Sequence, residues 1–131
     1  MKFYLFPSGI AKELPEGVPV AEGAVELTHE QYLEATAETP AQIVARLEAA
    51  IDRHLDAVAN SYRYESIRTM VTYAFSEDAK FGAEGRAAIK WRDACYNYGI
   101  QVIADVQAEQ RTIPTEEELI AELPVITSYF E

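Results

Sequence analysis

Trp91, Cys95, Tyr98, Val102 and Val106 follow one another at steps of three or four residues, a spacing that only an α-helix converts into a single apolar stripe. Such a stripe has to be covered by another element. Two candidates lie upstream: a seam of Val44, Leu47, Ile51, Leu55 and Val58, and a shorter set of Ile67, Met70, Val71 and Ala74. The expected fold is therefore mainly α, a helical bundle or hairpin closed by a long C-terminal helix over 83–110. At 131 residues the chain has room for one real core and not for two full domains.

Local signals place the ends of these helices. Thr28-His29-Glu30-Gln31 has the capping-box pattern, in which the Thr hydroxyl and the Gln side chain satisfy backbone groups at a helix start. A short helix to about residue 37 follows. Thr39-Pro40-Ala41-Gln42 repeats the device with proline at the first helical position, where its missing N–H costs nothing. That opens a long second helix, and Asn60-Ser61 offers its stop or the next cap. The third helix is expected over 65–75, with Phe81 plugging the turn before the fourth, and Ile113-Pro114 ends the fourth. Thr115-Glu116-Glu117-Glu118 is a third capping box, opening a short helix that Pro124 stops.

Ahead of the helices, Phe3 to Phe6 is aromatic and bounded by Pro7-Ser8-Gly9, the composition of a strand entering a turn. Pro15, Pro19, Gly17 and Gly23 then exclude continuous helix, leaving an irregular stretch with one or two β-bridges. The expected organisation is a small N-terminal β element with a short helix over 1–38, a helical bundle over 39–124, and a tail over 125–131 that docks or binds a partner.

Charge narrows the function classes. The formal net charge is −11, with −5 in residues 1–40, −5 in residues 112–131, and near balance between them. Counterion-release binding to nucleic acid needs clustered positive charge, and anionic membrane repels such a chain for the same reason. No apolar run approaches the roughly 18 residues of a membrane span. The first residues are too short an apolar run for a signal segment, so residence in a cytosol is the expectation. With Cys95 as the lone cysteine, no intrachain disulfide and no cysteine cluster for metal can form.

Each candidate site has a plainer structural reading. Cys95 and His54 are the residue types of a thiol nucleophile and its base, yet Cys95 sits on the apolar seam, which argues for a buried, inert thiol. His29 and His54 have no second histidine at helical spacing, so no metal pattern exists. Glu48, Asp52 and Asp56 form an acidic stripe at four-residue spacing, which is either a solvated face or a carboxylate set needing compensation, with Arg86 and Lys90 as candidates. Enzymatic motifs are absent. Tyr96, Ile100 and Ile103 widen the apolar arc of the fourth helix beyond the usual ~100°. That ridge either makes the helix central to the bundle or meets another chain, as do Ile126, Tyr129 and Phe130 in the tail. Gly99, near the seam, costs the helix about 1 kcal/mol relative to alanine, which a closely packed neighbour would explain.

The order Tyr64-Glu65-Ser66-Ile67, Tyr73-Ala74, Phe81, Glu84 and Trp91-Arg92-Asp93 resembles a helical region of small bacteriophage tail proteins of the tail-fibre assembly type. The resemblance covers about half the chain, residues 61–123, with Pro114-Thr115 and Glu122-Leu123-Pro124 similar to the closing segment and 24–32 similar to the front. One departure is that the aromatic after Trp-Arg-Asp is Tyr96, behind Cys95. The resemblance implies a non-enzymatic role without cofactor or metal: chaperoning a trimeric tail fibre in the cytoplasm of the bacterial host, or staying on the virion tail as an accessory. Tyr96, Ile100, Ile103, Ile126, Tyr129 and Phe130 are then the candidate contact residues, toward the fibre or toward a second copy. Arg92 and Asp93 either contact the partner or, in the case of Arg92, stack on a ring or pair with Glu84. The alternative is a small acidic phage protein that binds and inhibits a host factor, for which Glu48, Asp52 and Asp56 begin a row of duplex-like charge.

Overall fold

The computed structural model describes residues 1–131, which form two compact units, Met1–Thr39 and Pro40–Glu131. The protein is mainly α, with a small N-terminal sheet.

In the first unit, β1 (Lys2–Leu5), β2 (Ala11–Leu14) and β3 (Val25–Leu27) form an antiparallel sheet in the order β2-β1-β3. Phe3 stands opposite both Glu13 and Leu27 in the register. The stretch expected to hold one or two β-bridges thus contains two short strands, because β1 has two edges and both are paired. Helix α1 (His29–Thr36) starts at Thr28 through the full reciprocal capping box with Gln31. Its His29 and Tyr32 rings lie 5.0 and 4.5 Å from that of Phe3, so one aromatic side chain ties the helix to the sheet.

The second unit holds the core. Helix α2 (Pro40–Ser61) opens at Pro40 and buries Leu47, Ile51, Leu55 and Ala59. Arg63 at φ 73° ends it in the left-handed conformation, and the Asn60 side chain donates to the carbonyls of Tyr64 and Glu65. Asn60 therefore holds the turn, while Ser66 caps α3 (Ile67–Val71) by accepting from Thr69 N–H. The third helix is shorter than expected, because the chain tightens into a 3-10 turn over Thr72–Phe75. The cause is contact with α4 (Ala79–Gln107): a Cβ on Gly85 would lie 2.3 Å from the Ala74 nitrogen, so the two backbones touch.

Asp78 caps α4 by accepting from Phe81 N–H, four residues ahead of the expected start, so Phe81 lies in the first helical turn instead of plugging a loop. Its ring meets Tyr73 edge-on at 5.8 Å. Trp91, Cys95 and Val102 are buried as the stripe requires. Helix α5 (Glu116–Glu122) starts at the expected capping box of Thr115 and Glu118.

Residues beyond α5 do not form a free tail. Trp91 Nε1 donates to the Pro124 carbonyl at 2.7 Å, Lys90 pairs with Glu131 at 3.0 Å, and the rings of Tyr62 and Phe130 stack at 6.0 Å. Ile126 opens a 3-10 turn, Ile126–Tyr129, and is only 5% exposed. It belongs to the core with Leu119 and Leu123. Ile126, expected among the contact residues, thus has its apolar side chain covered inside the unit.

Candidate functional site

The residues expected on the contact ridge separate into three environments. Ile100 is 65% exposed and Tyr96 39%, Ile103 is half-buried, and Tyr129 and Phe130 pack partly against the core. Only Tyr96, Ile100 and Ile103 share one surface. They stand at steps of four and three on α4, adjacent to the buried Trp91–Cys95–Val102 stripe.

What the ridge faces is α2. Gly99 lies beneath it, and a Cβ there would come within 2.4 Å of the Ile51 Cδ1, so the two helices approach closely because the side chain is missing. Above this contact a cavity of about 270 Å³ is lined by Glu48, Asp52, Tyr96, Gly99, Ile100 and Ile103, with Ile51 at its floor. It shares Asp52 and Tyr96 with a polar cavity of about 640 Å³ that reaches Asp56, Arg68 and Arg92. At the other end it shares Ile103 with an apolar cavity of about 300 Å³ bounded by Ile43, Val44, Val106 and Ile113. The first and third of these follow one another along the α2–α4 seam, and the polar one adjoins them where α3 meets the two helices.

The acidic stripe of α2 forms one wall of this groove. Tyr96 Oη donates to Asp52 Oδ1 at 2.8 Å, and burial together with that hydrogen bond pushes the phenol up to about 12. Asp56 Oδ1 accepts from Ile67 N–H at 3.0 Å, at the start of α3. Arg86 and Lys90 do not compensate the stripe as expected. Arg86 reaches the Ala74 carbonyl at 3.5 Å and Lys90 is taken by Glu131, so the stripe is balanced by a phenol, a backbone amide and solvent. Arg92 pairs with its neighbour Asp93, while Glu84 accepts from Tyr64 Oη at 2.9 Å, which leaves no Arg92–Glu84 pair. Asp52 and Asp56 thus each spend one oxygen on an internal donor, while Glu48 faces solvent.

Cys95 lies wholly inside the core, its Sγ 3.9 Å from the Pro124 carbonyl, and burial pushes the thiol up to about 11. A thiol so placed is protonated at neutral pH and unreactive. His54 packs edge-on against Trp91 at 5.9 Å, and burial lowers its pKa from the ordinary 6.5. Cys95 lines none of the three cavities above, and His54 borders a separate one beside Arg53 and Glu116. No group of three or more His, Cys, Asp or Glu side chains converges as a cation-binding set, and no helix is long and apolar enough to cross a membrane.

Sequence reasoning missed two things. Phe75 is 95% exposed at the corner between the 3-10 turn and α4, where no periodicity marks it as outward. The pairing of the ridge with Glu48 and Asp52 was also unseen, although a mid-helix glycine beside an apolar ridge is the mark of a close helix crossing. No family model, curated protein or solved structure matches this chain.

Proposed function

We propose that this chain is a non-enzymatic tail-fibre assembly protein of a bacteriophage, which holds apolar segments of a trimeric fibre through the Tyr96–Ile100–Ile103 ridge and needs no cofactor. It acts in the host cytoplasm during assembly, with retention on the virion tail as a second stage. The observation that carries the reading is Ile100, which leaves most of its side chain in water on the helix that otherwise supplies the centre of the core. An isolated exposed isoleucine means little; one flanked by a half-exposed tyrosine and a groove is the anatomy of a protein-binding surface. The order of residues from Tyr64 to Asp93 supports the fibre as the partner. Fibre chains expose apolar strands before they trimerise, and an acidic partner covering them keeps the complex dissolved.

Co-expression with the fibre tests this. The Ile100→Asp protein is expected to lose fibre co-purification by at least tenfold while its helical circular dichroism is unchanged, since the side chain is mostly solvated. Retained co-purification removes the reading.

A further inference from the structure

We propose that the groove between α2 and α4 takes a basic amphipathic helix of its partner, with the helix's apolar stripe on Ile100 and Ile103 and its lysines or arginines against Glu48 and Asp52. The inference rests on the reading of the ridge as a contact surface and names the chemistry of what it holds.

The two walls differ in kind. The α4 wall is apolar at Ile100 and Ile103, and the α2 wall carries Glu48 and Asp52 one turn apart on the same face of the groove. The ion pairs of Arg53, Lys90, Arg92 and Arg111 go to Glu116, Glu131, Asp93 and Glu122, so none of these four cations is paired with Glu48 or Asp52. Asp52 keeps one oxygen for Tyr96 and has the other available. Bringing an uncharged apolar segment here would strip water from both carboxylates without replacing it. A segment with cations along one edge of its apolar stripe replaces that water with charge-assisted hydrogen bonds. A second copy of this acidic chain would set like charge against like, and nucleic acid is repelled outright.

The length of the groove fits a helix. From Tyr96 to Val106, short of the arginines at its polar end, it follows α4 for ~15 Å, the rise of about 10 helical residues and so room for anchors from i to i+7. A ridge bordered by a trough between two helices is the usual seat of an amphipathic helix with anchors at i, i+3, i+4 and i+7. Gly99 deepens the trough at its middle, beneath Ile100.

The probe is a synthetic helix of about 14 residues with leucine at i, i+3, i+4 and i+7 and lysine beside the leucine stripe, titrated into the whole chain by calorimetry. A glutamate version of the same peptide is the control. The lysine peptide is expected to bind at least tenfold more tightly than the glutamate one, and to shift the amide resonances of Glu48, Gly99, Ile100 and Ile103. Glu48→Lys and Ile100→Ser should each weaken it at least fivefold, while Glu77→Lys, an exposed acid outside the groove, leaves it within twofold. Equal binding of the two peptides, equal loss with Glu77→Lys, or resonance shifts away from the groove overturns the proposal. The fibre is scored separately. Fibre capture that is lost in Ile100→Asp but indifferent to Glu48→Lys keeps the fibre reading and overturns the basic helix; peptide binding in the groove without fibre capture does the reverse.

Discussion

Glu84 is the one buried charged residue, 7% exposed, and its carboxylate accepts from the Tyr64 hydroxyl across twenty positions of sequence. Burial first, and then that carboxylate, push the Tyr64 phenol up to about 12, so the hydroxyl keeps its proton, and its role as donor, throughout the physiological range. Removing the donor strands a carboxylate that cannot return to water. Tyr64→Phe is expected to destabilise the protein by about 2 kcal/mol, measured as a shift in urea midpoint at constant slope. A change under ~0.5 kcal/mol would mean that Glu84 finds other solvation. At this scale sequence reasoning was weakest. Tyr64 and Glu84 were singled out only by their order in the chain, and nothing local says that they meet; Arg92 was given to Glu84 on the same grounds and in fact turns to Asp93.

Among the elements, α4 decides most of the packing through two glycines with different neighbours. A methyl at Gly85 would strike backbone, 2.3 Å from the Ala74 nitrogen and 2.5 Å from the Tyr73 carbonyl carbon, and neither can move alone. A methyl at Gly99 would strike the tip of Ile51, which can change rotamer. Both gain about 1 kcal/mol of helix propensity. Gly85→Ala is therefore expected to lose about 3 kcal/mol net, and Gly99→Ala less than half of that, by chemical denaturation. Equal losses would show that the α4 contact with the 3-10 turn yields as readily as a side chain.

Arg111 donates two bonds to Glu122, at 2.8 and 3.0 Å, and Tyr98 donates a third. These bonds, Arg111 first and then Tyr98, hold Glu122 down at about 2 against its ordinary 4.5. A carboxyl lowered on folding adds stability above its unfolded pKa and loses it as pH falls through the folded one. The window is thus pH 4.5 down to about 2. The Glu122→Gln protein should be less stable at neutral pH and should lose less on acidification across this window, followed by thermal melts at several pH values. Parallel curves for the two proteins would contradict the assignment. The side chains are about one-third exposed, which keeps the effect small.

For the molecule as a whole, every residue of the hydrophobic core cluster falls between Leu47 and Ile126, inside the second unit. Residues 40–131 expressed alone are therefore expected to keep their helical signal and a cooperative melt. Residues 1–39 alone are expected to be marginal, being near the ~40-residue limit of unaided folding and lacking any buried residue in α1. Calorimetry of the two fragments checks both statements; a non-cooperative melt of 40–131 would refute the first.

Amino-acid order alone determined the helical class, the seams of α2 and α4, and the helix starts at Thr28 and Thr115, because capping and periodicity act within a turn or two of the chain. Tertiary structure decided the rest. Whether Ile126 meets water depends on which surface the closing segment finds, and the Trp91–Pro124 bond that holds it spans thirty-three residues. An apolar side chain has the same local signature whether it ends in a core or on a rim; only the geometry of its neighbours removes it from solvent.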